Sequence, residues 1–388
     1  MSKPMGGREV VVVEAVRTPI GRGHKEKGIF KDVHASKLLA LTLEDLFARV
    51  PIDPSLVDDV LGGCVMSYGE QSYNITRTGW LLANLPETVP AVTLDRQCGS
   101  AQQAFNYGAA TIASGVNDIV VATGVEHMGH NPLTNPFAEP VAWTQELRDL
   151  RDVRLQDDAA ELIADEFGVS RTDMDEFSAE SHRRAAAAAA EGRFKREIVP
   201  IATPDGAVHE QDQGVRPGTT AEVLAGLRSA YKEGGRITAG NASQISDGAA
   251  ALLMMTREKA DELGLQPRAR VVDQVGVGVS PVSMLRGPIP ATHKLLERTG
   301  MTIDDIDLFE VNEAFASVTL GWARAVGADL ARTNVNGGAI ALGHPVGATG
   351  ARLLTTLLHE LERSDRSTGL VAMCCGGGIG TGTIIERI

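Results

Sequence analysis

Two stretches of this chain repeat one pattern, and that repeat constrains the fold more than any other feature. Val57-Asp58-Asp59-Val60 has a counterpart in Ile306-Asp307-Leu308-Phe309, and Asp118-Ile119-Val120-Val121-Ala122-Thr123 has one in Thr368-Gly369-Leu370-Val371-Ala372-Met373. Apolar, β-branched runs alternate with helical periodicity around both. Val10–Val16, Val57–Leu61, Val89–Leu94 and Asp118–Thr123 read as strands, with helices over Ala35–Ala48 and Ser100–Ser114. The succession returns as strands Arg270–Val275, Ile306–Val311, Arg332–Val335 and Gly369–Cys374 with a helix over Gly347–Leu361. The expectation is an α/β chain with a duplicated core and largely parallel sheets.

A different texture separates the halves, roughly Gly124 to Gln244. Pro132, Pro136 and Pro140 punctuate its start, helices are expected over Asp158–Phe167 and Asp173–Glu191, and Asp205–Gly218 is turn-rich. The alanine run Ala185–Ala190 is a helix core of high propensity and carries no functional weight. An insertion of this size between duplicated cores reads as a lid or ligand-binding region.

Bulk properties exclude several classes. The 388 residues suffice for two or three cores, and 43% hydrophobic with 22% charged residues is a soluble balance. A net charge of −13 and only 4% aromatics argue against a nucleic-acid binder. No apolar run reaches the roughly 20 residues that span a bilayer. Met1 to Val13 shows no signal peptide, so a cytoplasmic enzyme is expected. Cys64, Cys98, Cys374 and Cys375 suit thiol chemistry in a reducing compartment better than disulfides, and they lack the spacing of a zinc site.

Four motifs carry chemistry. In Asp95-Arg96-Gln97-Cys98-Gly99-Ser100-Ala101 a cysteine falls where a strand ends and a helix begins. Unpaired N–H groups and the helix dipole there lower a thiol pKa and can bind an oxyanion. A lone cysteine is more often a buried structural residue, but the small residues after Cys98 clear space for a nucleophile. In Asn336-Gly337-Gly338-Ala339-Ile340-Ala341-Leu342-Gly343-His344-Pro345-Val346-Gly347-Ala348-Thr349-Gly350, glycine and alanine surround one histidine, and Pro345 holds it out of helical geometry. A neutral imidazole near a thiol is the usual means of making a thiolate. Met373-Cys374-Cys375-Gly376-Gly377-Gly378 puts two more thiols at a strand end, which points to one nucleophile and one acid/base. The rival reading, a redox-sensitive vicinal pair, requires a strained disulfide. In Val311-Asn312-Glu313-Ala314-Phe315-Ala316, Asn312 can anchor a water or donate to an oxyanion, or simply cap a helix.

Together, in this order and at these separations, the motifs resemble the thiolase family over essentially the whole chain. Glu191-Gly192-Arg193-Phe194-Lys195-Arg196-Glu197-Ile198, Thr238-Ala239-Gly240-Asn241-Ala242-Ser243 and Ser246-Asp247-Gly248-Ala249 extend the resemblance. It implies a thiolase fold, a duplicated α/β/α core with five-stranded mixed sheets. Residues 1–121 would form the first half, completed by about 246–268, with 269–388 as the second and 122–245 as a loop domain that holds coenzyme A. It assigns Cys98 as the acylated nucleophile, His344 as its activator and Cys374 as the general acid/base, since Cys374 is the one spaced C-x-G-G-G. One oxyanion hole would be His344 plus a water held by Asn312; the other, the backbone N–H of Cys98 and of Gly376. Arg216 and Ser243 match positions that contact coenzyme A. The implied reaction is reversible thiolysis of a 3-ketoacyl-CoA, with coenzyme A as substrate, no permanently bound cofactor or metal, and a homodimer or homotetramer as the working form.

Two departures stand out. Where many thiolases have M-G-x-T-A-E at the acyl pocket, this chain has Gln156-Asp157-Asp158-Ala159-Ala160-Glu161, and Ala101 stands where glycine is commoner. The run Asp95 to Ala104 and the tail Gly382 to Ile388 look most like actinobacterial thiolases acting on steroid side chains, so a degradative enzyme for bulky acyl groups is expected. The alternatives are a biosynthetic acetoacetyl-CoA thiolase and a non-catalytic acyl-CoA-binding protein, which would need a lost nucleophile or histidine. Cys374 in C-x-G-G-G argues against a ketoacyl synthase.

Overall fold

The computed structural model describes residues 7–133 and 142–388; Pro136, Pro140 and the first six residues lie outside them. The first half contains β1 (Val10–Arg17), β2 (Gly21–Arg22), α1 (Ala35–Arg49), β3 (Asp59–Gly63), α2 (Ile75–Leu82), β4 (Ala91–Leu94), α3 (Ser100–Ser114) and β5 (Ile119–His127). The insertion follows with α4 (Gln145–Leu150), α5 (Gln156–Glu166), α6 (Arg171–Ala190), β6 (Ile201–Ala202), β7 (Val208–His209) and α7 (Ala221–Ala225). Then come β8 (Ser246–Thr256), α8 (Arg257–Glu262), β9 (Ala269–Gly278), α9 (Pro288–Thr299), β10 (Leu308–Val311), α10 (Ala316–Val326), α11 (Ala339–Leu342), α12 (Thr349–Arg363), β11 (Thr368–Cys375) and β12 (Ile379–Arg387).

The duplication is visible in strand order. The first half runs β4-β3-β5-β8-β1, with β3 parallel to β4 and β5, and β8 antiparallel to β5 and β1. The second runs β10-β11-β12-β9 with the same pattern of directions, β10 and β11 being parallel and the rest antiparallel. Its expected strand over Arg332–Val335 is not a strand. Leu330–Arg332 coils into a 3-10 turn and Asn334 takes a φ of 47°, so only Thr333 remains extended, bridging Phe309 in parallel. The halves also share an edge. Val11 and Val12 of β1 pair with Arg270 and Ala269 of β9, which fuses both sheets into one.

Period-two alternation sorts the strand residues into layers. On β11, Val371 and Met373 face a central layer made by α3 and α12, whose Phe105, Ile112, Leu354 and Leu358 are buried among them. Leu370 and Ala372 face the opposite way, toward Leu295 of α9 and Trp322 of α10. Across the first sheet, Val11, Val121 and Leu253 pack on Leu38, Leu39 and Leu43 of α1. Helices α3 and α12 therefore lie at the heart of the molecule, and their N-termini open toward one end of both sheets. Among the described residues no helix is long and apolar enough to cross a membrane.

Candidate active site

Cys98 sits in the turn between β4 and α3, two residues before the helix. The turn is locked by short bonds: Arg96 N to Ser100 Oγ at 2.8 Å, Ser100 Oγ to Gln97 O at 2.6 Å, and Gln97 N to Asp95 Oδ1 at 2.7 Å. Gln97 is held at a φ of 51°, a left-handed conformation that costs a non-glycine residue about 1 kcal/mol or more and recurs next to reactive groups. The thiol is only 4% exposed. Burial pushes its pKa up to about 11, although hydrogen bonding by the N–H of Gly376, by its own N–H and by the Gln156 side chain pulls the other way. The sequence expectation of a lowered thiol pKa is thus not met in the resting protein: desolvation outweighs the helix terminus.

Two further thiols close the site from β11. Alternation puts Cys374 and Cys375 on opposite faces. Cys374 lies in the apolar cluster with Ala159, Ala160, Phe315 and Ile340, and Cys375 is hydrogen-bonded by Gly99 N–H and Thr381. Burial, then the charge that Cys98 would carry, pushes both thiols up. The hairpin after them needs glycine, because Gly377 and Gly378 take φ of 77° and 82°. Gly376 precedes these two and presents its N–H to Cys98.

His344 lies between α11 and α12. Its N–H is shared by Gln244 O (3.2 Å) and Ser246 Oγ (3.1 Å), and its Nδ1 lies 2.6 Å from Thr349 Oγ1. Burial, reinforced by the charge of Arg352, depresses the imidazole to about pKa 3, so it is neutral at any working pH. Asn312 follows β10, where its N–H donates to Ala372 O at 3.1 Å. Its Nδ2 lies 3.3 Å from His344 Nε2, and its Oδ1 is buried with no hydrogen-bond partner. Helix α10 starts only at Ala316 with Phe315 at its cap, so Asn312 is not a helix cap.

The Cys98 turn and the His344 loop interlock. Where a Cβ on Gly124 would stand, Gly347 O is 2.5 Å and Ala101 Cβ 2.7 Å away, and Val346 shares the buried cluster of Cys98 and Ala101. Two buried carboxylates clamp the histidine loop at its ends. Glu313 accepts from Ile340 N–H (3.1 Å), Ser181 Oγ (2.8 Å) and Asn334 Nδ2 (2.9 Å). Glu126 accepts from Gly347 N–H (2.9 Å), Val65 N–H (2.9 Å) and Met66 N–H (3.2 Å). The alanine run has a packing role here, since Ala185 and Ala188 of α6 lie buried with Ala341 and Leu342. Thr349, Glu126 and Glu313 were not singled out from sequence. The available signal was an acid inside a strand buried on both faces, as for Glu126 in β5.

Of the remaining expected residues, Ser243 is half-buried and its N–H donates to Ala314 O at 2.9 Å, which ties it to the Asn312 segment. Arg216 is exposed, its backbone N–H held by His182 Nδ1 at 3.2 Å. Among the described residues no group of three or more His, Cys, Asp or Glu is placed to hold a metal ion.

Comparison with known proteins decides the family. The model of the thiolase N-terminal domain matches residues 10–258, and that of the thiolase C-terminal domain matches residues 265–387. This chain belongs to the thiolase family. A steroid 3-ketoacyl-CoA thiolase of Mycobacterium tuberculosis is 46% identical to this thiolase, covering 98% of the chain and 94% of that protein. A 3-ketoacyl-CoA thiolase of Aeromonas salmonicida is 42% identical over 98% of the chain and all of its own length. The crystal structure of the Bacillus anthracis acetyl-CoA acetyltransferase superposes with a TM-score of 0.89 at 37% identity, both chains fully covered. The thiolase described here is accordingly an acyltransferase with the thiolase fold.

Proposed function

We propose that this thiolase cleaves 3-ketoacyl-CoA with free coenzyme A, in the degradative direction, by acyl transfer through Cys98. The observation that carries the assignment of roles is the pairing of a neutral His344, its Nε2 beside Asn312, with a cysteine whose sulfur receives the N–H of Gly376. His344 takes the proton of Cys98 as the sulfur attacks the 3-keto carbon. The C2–C3 bond then breaks, leaving the acyl group on Cys98 as a thioester and an acetyl-CoA enolate. Cys374 delivers its proton to C2 of the enolate. Acetyl-CoA leaves and coenzyme A takes its place, giving up a proton to the Cys374 thiolate. The coenzyme A sulfur attacks the thioester, Cys98 leaves and regains its proton from His344, and the shortened acyl-CoA departs. No electron is gained or lost in these steps, so they call for no redox group.

Developing charge has two homes. The enolate oxygen would sit against His344 and a water on Asn312, whose unpartnered Oδ1 is free to accept from that water. The tetrahedral oxyanion on the Cys98 adduct would be held by the N–H of Cys98 and Gly376. Coenzyme A would lie along the 122–245 insertion, with Arg216 toward its anionic end and Ser243 along its pantetheine arm.

Bulky acyl groups, including steroid-derived ones, are the proposed substrates, on the strength of the 46% identical relative's name and the departure at Gln156. A biosynthetic acetoacetyl-CoA thiolase is the second reading, favoured by the 37% identical acetyltransferase structure. We place the enzyme in the cytoplasm as a homo-oligomer. The edge position of β4, whose own Val92 is exposed, and Tyr73 at 96% exposure support an association. Thiolysis kinetics across 3-ketoacyl-CoAs from acetoacetyl to steroid-derived test the reading. Equal turnover of acetoacetyl-CoA with failure on the larger ones would refute the bulky-acyl assignment, and full activity in Cys98→Ala would refute the mechanism.

A further inference from the structure

We propose that the side-chain amide of Gln156 is an additional catalytic donor of this site, giving a hydrogen bond to Cys98 Sγ while that sulfur is a thiolate. The proposal rests on the reading of Cys98 as the nucleophile. Gln156 is the first residue of α5, after Leu155, which offers no capping side chain. Its Nε2 lies 3.3 Å from the point a Cβ would occupy on Gly376, the residue whose N–H also reaches Cys98. Gln97 Oε1 lies 3.0 Å from the same point, but the Gln97 amide nitrogen is turned to Asp95, at 3.3 and 3.4 Å from its two carboxylate oxygens. Of the two amides flanking Gly376, Gln156 is thus the one with protons to give to the sulfur.

The chemistry of the side chain decides its effect. A primary amide offers two N–H protons, whereas the thioether of a methionine, the residue many thiolases carry at this position, offers none. A donor strengthens when its acceptor becomes charged, so the amide favours the thiolate over the thiol. That is a large need here, because Cys98 is buried and the charge of Glu126 opposes one on the sulfur, while burial keeps the Cys374 and Cys375 thiols neutral. Cys374 and Cys375 stand at the end of β11, Glu126 on β5 and Asp95 in the same turn, with Asp157 and Asp158 beside Gln156 on α5; His344 is on the adjoining loop.

The test uses the free enzyme and iodoacetamide. Alkylation of Cys98 is followed by mass of its peptide, with Cys98→Ala as the control, from about pH 6 to 10 across the thiol range. In Gln156→Met the reaction at neutral pH is expected to slow roughly tenfold, the size of one hydrogen bond to a charged group, so that about one pH unit more is needed to match the wild-type rate. Gln156→Glu is expected to slow it further. A Gln156→Met profile superimposed on wild type overturns the proposal. So does a faster reaction, which would mean that Gln156 only keeps the pocket closed. Because no CoA thioester is involved, the result stands apart from any failure of the thiolysis assignment.

Discussion

His344 Nδ1 and Thr349 Oγ1 are 2.6 Å apart, and the same hydroxyl lies 2.8 Å from Pro345 O. The threonine proton goes to the carbonyl, so Oγ1 accepts from Nδ1–H. That fixes the proton on Nδ1 and makes Nε2 the acceptor, held in the resting protein by the Asn312 amide at 3.3 Å and available to take the proton of Cys98 when that contact yields. Thr349→Val is expected to lower kcat/KM about tenfold or more, with a smaller change in KM, while Thr349→Ser keeps near-native turnover. Equal rates for the two variants would remove Thr349 from the mechanism.

Glu126 receives three backbone N–H groups and the Gln71 amide in a fully buried site. Glu126→Gln presents a donor where only acceptors fit. A loss of about 2 kcal/mol in unfolding free energy is expected, with slower turnover because Gly347 and the His344 loop lose their anchor. Denaturant melts and kinetics at saturating substrate check both parts.

Stability should fall on either side of neutrality. Burial lowers His344 and His359 to about pKa 3 and His127 and His182 to about 4, from an ordinary 6.5. Neutral in the fold and protonated when unfolded, they give stability that is present above pH 6.5 and lost as the pH falls through 4 to 3. Burial raises Asp247 to about 7 and Glu310 to about 8, so their stabilising protons are held below the ordinary carboxylate range and lost as the pH rises through 7 and 8. Melting temperature against pH should be domed, with proton uptake on unfolding at the acid side. A flat profile from pH 7 to 4 would contradict this.

Gly99 has an ordinary φ of −84°, so its constraint is steric. A Cβ there would come within 2.6 Å of Cys375 Sγ and 3.0 Å of Thr381 Oγ1. Gly99→Ala is expected to abolish thiolysis, and Gly99→Ala with Cys375→Ala to recover part of it. No recovery would show that Cys375 is not what Gly99 accommodates.

Much of this was legible beforehand, for physical reasons. Helix α3 and strands β1, β5 and β11 are marked by strict periodicity or continuous β-branched runs. Cys98 and His344 stand out as candidates by the small residues around them, Cys374 by its place at a strand end before glycines, and Asn312 only by the chemistry of its amide. Strand β8 was harder to see, because Ser246-Asp247-Gly248-Ala249-Ala250-Ala251 has neither alternation nor β-branching; it is a strand because both of its faces are buried. The Arg332–Val335 strand failed from both sides, because Leu330–Arg332 winds into a 3-10 turn and Asn334 takes a left-handed φ. The thiol pKa was misjudged because a helix terminus can be read from sequence and desolvation cannot.

The pairing of β1 with β8 has a consequence for how the protein is made. Val12 finds its partner Met254 only about 240 residues later. At the usual pace of synthesis, roughly 5 to 20 residues per second, the first strand leaves the ribosome ten seconds or more before the strand it needs. In that interval Val10–Val16 is a bare apolar edge, so yield in the cell should depend on chaperone supply more than the finished enzyme's stability would indicate.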